Sequence, residues 1–130
     1  MSNQNARLIR DGYAAFAQGD IATVLELFDE DIDWHVPGRS PLSGDYHGHE
    51  GVLGFFTKSM ELSSGTLKVD VDDVVADGDR VVVFSTVSAQ RNGRSLSTPE
   101  VHCWRLADGK AVEFREFQGD QQREDEFWIG

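Results

Sequence analysis

The sequence predicts an α+β domain: a curved antiparallel sheet with three N-terminal helices on one face, shaped as a cone around an apolar hollow. Three observations carry this. Helix-period apolar spacing is confined to the first half of the chain, strand-type runs fill the second half from Thr66, and Asp-Gly and Asn-Gly dipeptides punctuate those runs. The 130 residues predict one domain, 1–130, long enough to bury a core without disulfides.

Leu8, Ile9, Tyr13 and Phe16 recur at near-helical spacing and predict a helix over residues 3–18, stopped by Gly19. Asp20 reads as the N-cap of a second helix over 21–28, with Val24, Leu25 and Phe28 as its apolar stripe. Asp29-Glu30-Asp31 should end that helix, and residues 32–36 form a short strand. Two prolines and two glycines make residues 37–44 a loop across a rim. A third helix, 49–62, carries Val52, Leu53, Phe55, Phe56 and Met60 and closes at Ser63-Ser64-Gly65.

Residues 67–71 alternate as a half-exposed strand does. Asp77-Gly78-Asp79 turns the chain into a strand over 80–87, and Asn92-Gly93 turns it again into 95–97. Pro99 predicts an edge position or a bulge. The last hairpin joins 101–106 to 111–117 through Asp108-Gly109. Its arms carry His102 and Trp104, then Phe114 and Glu116, which share one face if the register cooperates. Residues 118–130 read as a polar tail whose Phe127 and Trp128 either cap a pocket mouth or pack on a partner.

The formal charge of -11 argues against a nucleic-acid partner. No run approaches the roughly 20 apolar residues of a membrane helix, and the polar first residues lack the apolar core of a signal peptide. Cys103 is the sole cysteine, so no internal disulfide forms, and a cytoplasmic location is expected. His35, His47 and His49 lie near Asp45 and Glu50, but neither a HExxH helix nor paired CxxC is present, so no metal is expected. His49 should instead support the start of the third helix. No nucleophile elbow, phosphate loop or dinucleotide fingerprint is present, and no cofactor is expected.

Four stretches, 13–20, 34–38, 48–56 and the 101–117 hairpin, resemble in order and spacing the SnoaL-like cyclases, which share the cone fold of nuclear transport factor two and ketosteroid isomerase. The resemblance implies the register: Trp34 and Val36, then Val83, Ser85 and Val87, then Glu100, His102 and Trp104, then Phe114 and Glu116 face the hollow. Phe16, Phe55, Phe56 and Met60 complete its wall from the helices. Cys103 faces away as a small apolar filler.

The family's chemistry carries over only in part. The ketosteroid isomerase base falls on Val36, its oxyanion aspartic acid on His102, and its tyrosine within one residue of Tyr13. Of the epoxide hydrolase aspartates in the same fold, one corresponds to Glu116 and the other falls among Val81, Val82 and Val83. The resemblance therefore implies a cofactor-independent acid/base enzyme of isomerase, cyclase or lyase type on a small apolar or polycyclic carbonyl compound. His102 would be the acid/base, Glu116 its partner and Tyr13 a polar contact, with Glu100 as a rival carboxylate. The alternative is a non-catalytic module binding a small apolar molecule. Plainer roles remain open at each position: a buried neutral histidine, an ion pair of Glu116 with Arg115 or Arg105, a tyrosine packed in the core. The fold implies a homodimer through the outer sheet face.

Overall fold

A computed structural model describes residues 3–130. Helices α1 (Asn3–Ala17) and α2 (Ile21–Glu26) are followed by strands β1 (Phe28–Val36) and β2 (Gly44–His47). Helix α3 (Gly48–Leu62) leads into β3 (Lys68–Asp77), β4 (Arg80–Arg91), β5 (Arg94–Ala107) and β6 (Lys110–Gln118), and α4 (Gln121–Ile129) ends the chain. The six strands form one sheet in the order β2-β1-β6-β5-β4-β3, antiparallel throughout except for the parallel pair β1–β6. Helices pack on a curved, mainly antiparallel sheet, as the α+β cone requires. Among the described residues no helix is long and apolar enough to cross a membrane.

Local chemistry sets the boundaries. Asp20 caps α2, accepting from the Thr23 backbone N–H at 3.2 Å and the Thr23 hydroxyl at 2.7 Å. At two of the three two-residue hairpin turns, Asn92-Gly93 and Asp108-Gly109, each residue has positive φ, the pairing a type I′ turn needs. Those turns hold β4, β5 and β6 in one long meander.

Four expectations change. The second helix stops at Glu26, and Phe28 is already strand, because it pairs alongside Ala111 of β6 and the Ala111 N–H donates to Leu27 O at 2.8 Å. Residues 44–47 are β2 rather than loop; their short run pairs antiparallel with residues 33–36 of β1. Pro99 neither edges nor breaks the sheet: β5 runs unbroken through it. It lies opposite Thr86, just past the last β5–β6 pair, Glu100 with Gln118, so its missing N–H falls where that ladder ends. The expected polar tail is α4. Asp120 caps it by accepting from the Arg123 N–H at 3.0 Å, and Glu124, Phe127 and Trp128, spaced i, i+3, i+4, turn inward.

Burial alternates strictly along β4 and β5, so one face of the sheet is core. Ile32, Val52, Val81 and Val83, all at 0% exposure, centre the main cluster. A second cluster joins Phe127 and Trp128 of α4 to Leu42, Ala89 and Leu96.

Candidate functional site

Three rows of side chains cross the concave face, each fixed by strand register. Tyr46, Trp34, Phe114, Trp104 and Val81 form the first; Glu116, His102 and Val83 the second; Gln118, Glu100 and Ser85 the third. Between these rows and the helices lies a cavity with about 930 Å³ of atom-free space, its mouth included. Its apolar end is a nest of rings: Trp34 stacks on Phe114 at 3.8 Å and meets Phe56 and Trp104 edge-on at 5.6 Å.

The polar end is one connected network. The Trp104 indole N–H donates to the Tyr13 hydroxyl at 3.1 Å, and that hydroxyl lies 2.6 Å from His102 Nδ1. His102 Nε2 lies 2.8 Å from Glu100 Oε1 and 4.0 Å from Glu116 Oε1. An indole nitrogen only donates, so one Tyr13 lone pair is taken. Among the described residues the phenol hydrogen has one acceptor, His102 Nδ1, which assigns the proton of the neutral ring to Nε2 and directs it to Glu100. Gln118 Nε2 donates to Glu116 Oε2 at 2.7 Å. Glu124, brought in by α4, hydrogen-bonds Glu100.

Burial governs the charges. Tyr13, His102, Glu100, Glu116 and Glu124 all line the cavity, and no Lys or Arg does so among the described residues. Desolvation raises the Tyr13 phenol and lowers His102, which stays neutral. Glu100 is raised well above the usual carboxylate range by burial and by the neighbouring Glu116 charge. Glu124 is pushed up to about 10 by burial and by its bond to Glu100. Burial raises Glu116 too, but hydrogen bonds from the Gln118 amide and from Glu100 oppose the rise. The negative charge of the trio therefore rests on Glu116, with Glu124 and Glu100 as neutral donors behind it.

Phe16, Trp34, Val36, Phe55, Phe56, Val87, Glu100, Trp104 and Phe114 line the cavity together with Tyr13, His102 and Glu116. Three expected wall residues do not. Val83 is sealed at 0% exposure in the main core. Ser85, at the end of the third row, is buried, its hydroxyl donating to Glu100 O at 3.0 Å. Met60 sits one helical step off the inward face of α3, which presents Phe55, Phe56 and Ser59 instead. The sequence reading missed Phe28, Leu42, Gln118 and Glu124, while Trp128, one of the two tail residues offered as a cap on the pocket mouth, also lines the cavity. Gln118 was findable, two residues beyond Glu116 in the same strand phase, and the Asp120 cap with the Glu124-Phe127-Trp128 spacing would have marked α4.

The other histidines lie apart from the cavity. His35 meets Asp45 at 2.7 Å, His47 meets Asp33 at 3.0 Å, and His49 bonds Phe28 O at 2.8 Å, tying α3 to β1. Cys103 is half-buried on the opposite face of β5 from His102. Glu100, His102 and Glu116 could offer a metal three ligand atoms within 4.8 Å of one another. The 2.8 Å between Nε2 and Oε1 is hydrogen-bond spacing, shorter than the ~3.3 Å separating two ligands around a tetrahedral ion with bonds near 2.0 Å. The trio would have to open to hold one.

The sequence pattern of the SnoaL-like domain matches residues 9–114, and the chain belongs to that family. It is 30% identical over 122 residues, 93% of each chain, to the uncharacterized protein Rv0034 of Mycobacterium tuberculosis. Among solved structures it resembles Bal32a from a soil-derived mobile gene cassette, at 37% identity and a TM-score of 0.94 over 98% of both chains. A Xanthomonas campestris protein of unknown function with a cystatin-like fold is 36% identical, TM-score 0.91, over 97% of this chain and 98% of that one. TerC, co-crystallized with polyporic acid, is 27% identical with a TM-score of 0.87 over 98% of this chain and 99% of its own.

Proposed function

We propose that this protein is a cofactor-independent acid–base enzyme of isomerase, cyclase or lyase type, acting on a small apolar or polycyclic carbonyl compound. The observation that carries the reading is the buried chain Tyr13–His102–Glu100 with Glu116 beside it, closing the polar end of an aromatic cavity. Glu116, as the carboxylate that holds the charge, is the base. It takes a proton from carbon next to the carbonyl, and the electron pair moves into the C=O to give an enolate. A substrate hydroxyl at Tyr13 has a longer route to the same base. It protonates Tyr13 as Tyr13 passes its own proton to Nδ1, Nε2–H passes to Glu100, and the Glu100 proton passes to Glu116. Run backwards, the chain delivers a proton to a substrate oxygen. The complex of TerC with polyporic acid supports a small organic ligand in this fold.

The test is deuterium uptake at the α-carbon of a panel of cyclic ketones in D2O, followed by NMR. Uptake catalysed by the wild type should fall about 100-fold or more in Glu116→Gln and in His102→Ala. Equal uptake in all three proteins would overturn the assignment. A second reading, a binding module without proton transfer, draws on the fact that both His102 nitrogens are already satisfied without ligand. It predicts binding with no uptake at all.

The same reading extends to assembly and setting. Phe84, Val101 and Phe117 lie side by side across β4, β5 and β6 on the outer face, with Phe84 43% and Phe117 50% exposed, which supports a homodimer there. The lone Cys103 thiol suits a reducing, cytoplasmic setting. One domain over 1–130 is supported by α4, which packs on Leu42, Ala89 and Leu96 from three other parts of the chain.

A further inference from the structure

Buried polar atoms are paired as a rule, and each orphan costs about 1–3 kcal/mol. Among the described residues four buried side-chain atoms have no partner, and three of them belong to residues lining the cavity: Trp34 Nε1, Gln118 Oε1 and Glu124 Oε2. Trp34 is 4% exposed and Glu124 2%. Their chemistry is sorted by place. Trp34, whose nitrogen is a donor only, stands in the first row of the sheet. Gln118 Oε1 is an acceptor in the third row. Glu124 is already bonded to Glu100 through its carboxyl group, so it adds no acceptor of its own.

We propose that Trp34 and Gln118 are the two anchors of the ligand, which is a neutral fused-ring compound with a carbonyl oxygen at one end and a hydroxyl at the other. The proposal deepens the carbonyl-substrate reading and rests on it for the ligand's place in the cavity. Phe114, opposite Trp34, and Gln118 are four residues apart on β6, about 13 Å along the strand, a span suited to roughly two or three fused rings. The second row, His102 and Glu116, lies midway, so a ligand held at both ends presents its middle to the base. The walls fit the rest of the molecule. Phe16, Phe56, Trp104 and Phe114 offer ring faces and edges, while the Glu116 charge and the absence of Lys or Arg among the lining residues disfavour an anion.

The test uses four probes of one shape: tetralin, 1-tetralone, 5,6,7,8-tetrahydro-2-naphthol and 6-hydroxy-1-tetralone. Binding to the wild type and to Trp34→Phe is measured by 1H–15N NMR, reading the indole N–H resonances. The ketone and the hydroxyl should each strengthen binding about three- to tenfold over tetralin. The ketones alone should move the Trp34 N–H downfield, and Trp34→Phe should remove the ketone's gain while leaving the hydroxyl's. The indole signal is read in the unmodified protein, so the assignment stands or falls even if the variant fails to fold. Equal affinity across the four probes, no binding of any, an unmoved Trp34 resonance, or an equal loss for all four in Trp34→Phe would each overturn it. Turnover does not enter, so absent catalysis with selective binding would defeat the enzyme reading and leave this one intact.

Discussion

Replacing Glu124 by glutamine should make the protein markedly less sensitive to alkali. Glu124 is 2% exposed, hydrogen-bonded to Glu100, and raised from 4.5 to about 10. Between those two values the native state keeps a proton that the unfolded chain has released. The unfolded state then binds fewer protons than the native, so unfolding free energy falls as pH rises, by about 1.4 kcal/mol per unit for one group. Below the ordinary carboxyl value both states are protonated and the slope vanishes. From pH 6 to pH 9 the wild type should lose about 4 kcal/mol through Glu124 alone. Glutamine keeps a neutral donor for Glu100 and cannot ionise. Glu100 and Glu116, also raised, slope the same way in both proteins, so the difference isolates position 124. Urea unfolding at pH 6, 7.5 and 9 reads the effect, as a stability gap between variant and wild type that widens by about 3–4 kcal/mol toward pH 9. Parallel curves, widening by less than about 1 kcal/mol, would refute the view that Glu124 is held protonated by the cluster.

Other outcomes follow from neighbouring features. Tyr13→Phe leaves Trp104 Nε1 and His102 Nδ1 without their shared partner and should cost about 1–3 kcal/mol in a denaturant melt; a neutral result would mean that water replaces the phenol. His47 is raised by its hydrogen bond to Asp33, so its stabilising effect is full below its ordinary value of 6.5 and is lost as pH climbs through the raised value. A proton NMR titration should show that midpoint fall toward 6.5 in Asp33→Asn, and an unmoved midpoint would exclude the pair as its cause. Phe127→Ala removes a 5%-exposed ring from the smaller core and should cost about 3–5 kcal/mol, read as a lowered urea midpoint; a cost below about 1 kcal/mol would show that α4 is not held by that cluster. Phe84→Asp with Phe117→Asp should convert the proposed dimer to a monomer in light scattering, and a mass equal to that of the wild type would refute a dimer through that face.

The helices and hairpins were legible because each announces itself locally. Helical spacing marks α1 and α3, and the paired turn residues at 92–93 and 108–109 mark the hairpins of the β4–β6 meander. A bulge nevertheless shifts the β5–β6 register by one residue, where Leu106 pairs with Ala111 but Arg105 with Glu113. What escaped depends on partners far along the chain. Phe28 reads as the end of an apolar helical stripe until β6 is beside it, and β2 is four residues that count as strand only through β1. The site shows the same division. The resemblance to the SnoaL-like cyclases put His102, Trp104, Phe114 and Glu116 on one face, but it put Val83 and Ser85 there equally, and only three-dimensional packing shows that the cavity stops short of them. Glu124 stayed hidden for a different reason: an acidic residue in a charged C-terminal segment reads as solvated, and nothing local says that α4 folds back onto Glu100.

The parallel pairing of β1 with β6 has a consequence for biosynthesis. Everything from Pro37 to Gly109 is made between those two strands, so β1 leaves the ribosome long before its neighbour exists. Until then Ile32 and Trp34, which end buried, have no strand beside them but the short β2, with α3 as their helical cover. The domain is therefore committed to closing late, in one long-range step that loop entropy makes slow. A translational pause before Lys110 would hold the nascent chain with β1 unpaired on the side that β6 takes, the state in which a chaperone or a second nascent chain would find it.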